Sequence, residues 1–172
     1  KYNFTEKENE HGLVILDFID DLLKRFNLEK NELDLIAVSN GPGSFTGLRV
    51  GCSVAQALAF ANDIPLIPLS SLAVLAHQAH SKFDMKNIFV ITNAHMKELY
   101  IGSYQFENEQ IKILEKECLI SQEDLSNYVD INSTETLYVG NGITFLENIV
   151  DKNAYKNIFS HASNMFKLID LA

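Results

Sequence analysis

The sequence predicts an α/β protein whose two halves share one order of strands and helices. Apolar residues recur at helical spacing over 11–26 and 48–62. Residues 35–39 form a short continuous apolar run, typical of a strand covered on both faces of a parallel sheet. The second half opens with a predicted hairpin, in which strands 88–92 and 99–106 flank a polar turn.

The first half alternates strands and helices. Its predicted elements are strand 1–6, helix 11–26, strand 35–39, helix 48–62, strand 64–69 and helix 71–80. Ser70 or Ser71 is the predicted N-cap of the third helix, because serine accepts hydrogen bonds from the first free N–H groups of a helix.

The second half is predicted in the order βββαβαβα. After the hairpin come strand 111–114, a helix after Ser121, strand 137–139, a helix from about Ile143, a short strand near 158–159 and a last helix to Ala172. The first half has the same order without its first two strands, which predicts a duplication. Two tandem ribonuclease-H-like domains, 1–83 and 84–172, would form an actin-like or sugar-kinase-like fold in which the first strands of domain 1 are missing.

Composition narrows the class of protein. The 172 residues are 47% hydrophobic and carry a formal net charge of -9, so a surface that binds nucleic-acid phosphates is not expected. Cys52 and Cys118 lie far apart and in no zinc-binding spacing. The apolar runs fall short of the about 20 residues that span a membrane, and no leader precedes them. We expect a cytoplasmic protein without direct nucleic-acid contact and without membrane contact.

A glycine-rich loop joins strand 35–39 to helix 48–62. Such a position can hold an anion at the helix N-terminus, but its spacing is GxGxxxG rather than GxGxxG, and Leu48-Arg49 stands where a phosphate-binding loop needs Lys-Ser or Lys-Thr. Ser44 does not fit a nucleophile elbow, because Pro42 occupies the position that requires glycine. Spacing alone favours a tight strand-to-helix turn.

The same loop, as a string of residues, resembles the signature of the TsaB (YeaZ) family. The signature residues are Gly41, Pro42, Gly43, Ser44, Phe45, Thr46, Gly47 and Arg49. Further matches lie at His11, 65–72, 93–100, 139–142 and 160–162. The chain departs from the family at Asn93-Ala94-His95, where Asp-Ala-Arg is more usual.

The resemblance implies an actin-like fold and an accessory role. TsaB-type chains pair with the catalytic subunit TsaD, in a wider complex with the ATPase TsaE, or form a homodimer when alone. TsaD transfers threonylcarbamoyl to adenosine 37 of tRNAs that read codons starting with A. This chain is then expected to bind and activate TsaD, with no catalytic residues of its own.

The residues indicate neither a metal nor a cofactor. His77 and His80 lie three apart on one helix, but no carboxylate completes a ligand set, so both are expected to be solvated. The three aspartates Asp17, Asp20 and Asp21 fall on the polar stripe of helix 11–26 and are interpreted as a solvated face.

The helices indicate a partner surface. Helix 48–62 is apolar on nearly all sides. One side can pack on the sheet, and the opposite side needs a second surface to bury it. Helix 11–26 also has an apolar arc wider than one stripe. Together the two helices could form a four-helix bundle with a second such pair. The predicted partner or dimer interface consists of Leu13, Leu16, Leu23, Gly51, Val54, Ala55 and Leu58.

Three other functions stay open at this point. An ATP-dependent enzyme of the sugar-kinase type would need to bind ATP. An inactive homologue of the glycoprotease-like metallopeptidases is the second alternative, and an active peptidase would need a bound metal. The third is an interaction module unrelated to tRNA.

The apolar helix faces also have an alternative explanation. They could be covered by other parts of the same chain instead of by a partner.

Overall fold

The computed structural model describes residues 11–107, 110–130, 132–146 and 155–169; the side chains of 11–13 and 155 are outside this description. Its helices are α1 (His11–Phe26), α2 (Phe45–Asn62), α3 (Ser71–Phe83) and the short α4 (Phe166–Ile169). Its strands are β1 (Ile36–Gly41), β2 (Leu66–Ser70), β3 (Asn87–His95), β4 (Glu98–Glu107), β5 (Gln110–Ser121), β6 (Thr136–Val139) and β7 (Tyr155–Lys156). The predicted strand 1–6 and the end of the last predicted helix lie outside the described residues.

The chain divides into two compact units, residues 1–68 and 69–172. The division falls before α3, whereas the sequence prediction placed it after residue 83. Helix α3 groups with the second unit because its buried side chains, among them Leu72, Ala76 and Ala79, join the core on one face of the second sheet. That the two halves are tandem ribonuclease-H-like domains stays a prediction.

β1 and β2 form a two-stranded sheet, and β2 crosses the division between the units after Pro68. At one end of the sheet the Ile36 N–H donates to the Pro65 carbonyl at 2.9 Å. Helix α2 packs against β1, and Cys52 Sγ lies 3.8 Å from the Ser39 carbonyl oxygen. Ala55 and Ala59 are the buried residues of α2. Their small side chains let the helix backbone approach the sheet closely.

In the second unit, five strands form one mixed sheet in the order β5-β4-β3-β6-β7. The β3–β4 and β4–β5 pairs are antiparallel, and the β3–β6 and β6–β7 pairs are parallel. Each face has its own core, because successive side chains of a strand point to opposite faces. Tyr104 and Phe106 lie in the core beneath α3, while Leu99 and Ile101 lie in the core of the other face.

Two predicted helices are single 3-10 turns instead, at Glu123–Asn127 and Ile143–Leu146. The first of them begins at Glu123, shortly after Ser121, whose Oγ accepts the Asp124 N–H at 3.2 Å. Only Leu125 is buried within that segment, so a longer helix would have little apolar surface to cover. The strand predicted near 158–159 lies earlier, at Tyr155–Lys156.

Ser70 is the N-cap of α3, one of the two serines predicted for that position. Its Oγ accepts the N–H groups of Leu72 at 3.1 Å and Ala73 at 3.3 Å. The same hydroxyl donates to Glu117 Oε1 at 2.5 Å. One oxygen atom therefore serves both the helix start and the neighbouring sheet.

We expect Ser70→Ala to lower the free energy of unfolding by about 1–2 kcal/mol, because the cap and the bond to Glu117 are lost together. Urea denaturation followed by circular dichroism measures the change. Ser81→Ala, at an exposed position in the last turn of α3, is the matched control and should stay within about 0.5 kcal/mol of the wild type. Equal values for the two variants would contradict the capping role.

Candidate functional site

The signature loop is a tight connection between β1 and α2. Gly41 has φ +109°, an angle that favours glycine. A Cβ added there would also lie 3.1 Å from Leu48 Cδ1, so the leucine side chain would have to shift slightly. Ser44 is the N-cap of α2, and its Oγ lies 3.4 Å from the Gly47 N–H. The Leu48 N–H donates to the Ser44 carbonyl at 2.9 Å. This geometry agrees with the interpretation of the glycines as turn residues.

Beyond the turn, two signature side chains reach the surface together. The Arg49 guanidinium lies 3.8 Å from the centroid of the Phe45 ring, which is a cation–π contact. The Phe45 side chain is 67% exposed, and Arg49 is exposed as well. Sequence reasoning assigned these two residues to the signature without giving them a role.

The structure separates the predicted interface residues. Leu16 is exposed on α1, while Gly51, Val54 and Leu58 are half-buried on α2. A Cβ added at Gly51 would meet nothing within 4 Å, so that flank is open to close approach. The side chain of Leu13 lies outside the described side chains.

Leu23 and Ala55 differ from the rest of the set. They are only 9% and 7% exposed, so both belong to the core of the first unit. A partner that docked on the folded chain would not reach them.

The outermost face of α2 was missed by the sequence prediction. Five exposed residues at helical spacing form what we call the outer stripe: Phe45, Arg49, Ser53, Gln56 and Phe60. The Phe60 side chain is 92% exposed. The spacing i, i+4, i+8, i+11 and i+15 was visible in the sequence, but the direction of the sheet was needed to show that this face points outward.

Helix α1 adds apolar surface to the same unit. Leu22 and Phe26 are 53% and 70% exposed, although both were assigned to the apolar arc of the helix. On the polar side, Lys30 Nζ lies 2.8 Å from Asp20 Oδ1. The hydrogen bond from Lys30 lowers the pKa of Asp20.

The histidine pair of α3 is packed rather than solvated, which corrects the sequence expectation. His77 is buried, and its ring meets the edge of Phe106. The His80 ring stacks on Phe106 with centroids 4.3 Å apart, and its Nδ1 lies 2.9 Å from the Met85 carbonyl oxygen. Within the described ranges, His, Cys, Asp and Glu side chains form no group of three or more that could hold a metal ion.

A polar cluster lies beneath α3. Tyr104 donates to Glu117 Oε1 at 2.5 Å, the same atom that accepts the Ser70 hydroxyl. Burial, together with this bond to the carboxylate, raises the pKa of Tyr104. The phenol is therefore a hydrogen-bond donor and not a base at neutral pH.

The glycine turn after β6 packs against the end of β3. Gly140 has φ +113°, the Gly142 N–H donates to the Ile91 carbonyl at 3.0 Å, and the Asn93 N–H donates to Asn141 Oδ1 at 2.9 Å. These contacts fit the interpretation of residues 139–142 as a structural turn. No helix in the described part of the chain is long and apolar enough to cross a membrane.

Comparisons with known proteins identify the family. The family model of TsaD, tRNA N6-adenosine threonylcarbamoyltransferase, matches residues 5–172. A tRNA threonylcarbamoyladenosine biosynthesis protein TsaB from Haemophilus influenzae is 40% identical over 95 residues, which are 55% of this chain and 40% of that protein. A protein of the same name from Buchnera aphidicola of Schizaphis graminum is 32% identical over 143 residues, 82% of this chain and 68% of that protein.

The fold agrees with a solved relative. YeaZ from Pseudomonas aeruginosa superimposes with a TM-score of 0.82 at 28% identity, covering 94% of this chain and 77% of that one. The chain thus spans less than half of the Haemophilus relative and about two thirds of the Buchnera relative. The resemblance carried by the signature loop is confirmed, and this chain belongs to the TsaB (YeaZ) family.

Proposed function

We propose that this chain is the non-catalytic partner subunit that binds and activates TsaD in the threonylcarbamoylation of adenosine 37 of tRNAs that read codons starting with A. The observation that carries the proposal is the exposed apolar surface of α1 and α2. Phe60, Phe26 and Leu22 are 92%, 70% and 53% exposed on the two helices. Exposed large apolar side chains also occur in the second unit, for example at Met96 and Phe159. In the first unit they lie on two helices that contact each other, and exposed apolar groups on adjacent helices are typical of a protein-binding surface.

Membership of the family supports the choice of partner. The model that matches residues 5–172 is that of TsaD, so TsaD is expected to contain counterparts of α1 and α2. Two related chains can then pair through equivalent helices, as in a symmetric dimer. The same surface would allow a homodimer when TsaD is absent.

The finer parts of the proposal follow from the family resemblance. They are the tandem ribonuclease-H-like architecture, a wider assembly with TsaE, a cytoplasmic location and the absence of direct tRNA contact. The formal net charge of -9 supports the last of these, because phosphate contacts need a basic surface.

The test is size-exclusion chromatography of the full chain alone and with TsaD from the same organism, followed by a tRNA modification assay with and without the chain. A mixed complex and modification that depends on this chain support the proposal. ATP hydrolysis by the isolated chain without complex formation would support the sugar-kinase-like alternative.

One variant locates the surface. Phe60→Asp is expected to weaken TsaD binding about tenfold or more, because a charge replaces an aromatic anchor, while thermal stability stays close to that of the wild type. Isothermal titration calorimetry measures the dissociation constant.

Met96→Asp is the matched control. The Met96 side chain is 93% exposed in the second unit, and aspartate tolerates the left-handed backbone there. Equal TsaD affinity of the Phe60 and Met96 variants would exclude the outer stripe from the interface.

A further inference from the structure

We propose that Arg49 determines partner specificity by binding a carboxylate of TsaD. This inference rests on the proposed function and deepens it: the partner helix that covers the outer stripe of α2 carries an acidic residue opposite Arg49. The Arg49 side chain is exposed on the outer stripe, where it can make that contact.

The charge distribution of α2 is unusual for a surface helix. A solvent-exposed helix face normally carries several charged residues. Helix α1 follows this pattern, with exposed residues Asp17, Asp21, Lys24 and Arg25. Arg49 is the single charged residue among the 18 residues of α2, although the outer stripe is exposed along its whole length. Such a face is suited to contact with a protein, and Arg49 is the one position where charge selects the partner.

A contact within α2 favours one orientation of the Arg49 side chain before any partner arrives. Its guanidinium lies 3.8 Å from the centroid of the Phe45 ring, and Phe45 is the first residue of α2, directly after the Ser44 cap. A stacked arginine loses less conformational entropy on binding than a free one. The planar guanidinium keeps its outward N–H groups for a bidentate contact.

Arg49 has no carboxylate partner among the residues that the structure describes. Docking of a partner on the outer stripe would remove water from the guanidinium, and a buried charge without a partner is strongly unfavourable. The partner must therefore supply the opposite charge. Because Arg49 is the one charged residue of α2, a carboxylate that docks along this helix is attracted at a single position, which sets the register.

The two phenylalanines at the ends of the outer stripe indicate the length of the TsaD helix that would pack on it. Phe45 and Phe60 are 15 positions apart, about 22 Å at about 1.5 Å per residue. A helix of about four turns covers this length. An acidic residue near one end of that helix, facing Arg49, would fix its direction.

The experiment measures TsaD affinity for Arg49→Ala and Arg49→Lys by titration calorimetry at two salt concentrations. We expect Arg49→Ala to weaken binding about thirtyfold, the size of an interface hot spot. Arg49→Lys should recover little, because lysine lacks the planar fork. Arg25→Ala, an exposed arginine on the polar side of α1, is the control and should bind like the wild type.

A charge swap identifies the partner group. Arg49→Glu should abolish binding, and one Asp→Arg or Glu→Arg change on the corresponding TsaD helices should restore it. Circular dichroism confirms folding of each variant, which is expected because Arg49 is exposed.

The outcomes separate the two proposals. If the wild type does not bind TsaD, the proposed function fails. If the wild type binds and Arg49→Ala binds equally well, the inference is overturned while the proposed function stands. A variant that binds TsaD normally but reduces the affinity of the complex for tRNA would also overturn it, since Arg49 would then contact a phosphate.

Discussion

Replacing Gly140 with alanine is expected to destabilise the second unit by about 3 kcal/mol or more. Gly140 has φ +113°, an angle that L side chains rarely adopt, and a Cβ there would lie 2.2 Å from the Ile91 carbonyl oxygen. That oxygen belongs to the backbone of a central strand, so it cannot move aside without disturbing the β3–β6 pairing. Urea denaturation followed by circular dichroism measures the loss.

Gly51→Ala is the matched control for this variant. Gly51 lies in α2, where an added Cβ meets nothing within 4 Å, and alanine is the better helix former by about 1 kcal/mol. The two glycine-to-alanine changes should therefore move stability in opposite directions. A Gly140 variant as stable as the wild type would contradict the geometry of the turn.

Ala55→Asp is expected to unfold the first unit or to cost it several kcal/mol. Ala55 is 7% exposed on the buried side of α2, and a carboxylate there would have to lose its water. Gln56→Asp, one residue further along and exposed, should change stability by about 0.5 kcal/mol or less. Limited proteolysis with far-ultraviolet circular dichroism distinguishes the two.

The same pair of variants tests the orientation of α2. A folded Ala55→Asp protein that had only lost TsaD binding would return Ala55 to the interface and contradict its placement in the core. An unfolded Gln56→Asp protein would show that the outer stripe is covered by the rest of the chain.

Much of the fold was predictable because the periodic signals were strong. Helix α1 has the bounds expected from its apolar spacing, His11–Phe26, and the hairpin turn lies between β3 and β4 as predicted. The segment Glu123–Asn127 was mistaken for a helix because a serine hydroxyl such as that of Ser121 can accept a nearby backbone N–H whether or not a helix follows. Only the amount of apolar surface to be covered decides how far the turn continues.

The sequence predicted a partner surface on two helices, but it did not show which face of α2 points outward. An almost uniformly apolar helix such as α2 has no polar stripe to show its outward side. Its contact with β1 makes Ala55 and Ala59 inward, which leaves Arg49 and Phe60 outward. The hairpin shows a similar limit: His95, Met96 and Lys97 all have positive φ, and of these only histidine is a residue type enriched in that conformation.

The shared hydroxyl of Ser70 restricts what evolution can place there. Aspartate is as good a helix cap as serine, but its carboxylate would be repelled by the carboxylate of Glu117. Asparagine would have to accept hydrogen bonds with its side-chain oxygen and donate one with its side-chain nitrogen, which are two different atoms. Alanine and glycine can do neither. Only a serine or threonine hydroxyl satisfies both neighbours with one oxygen, so this position should vary far less among relatives than an ordinary cap.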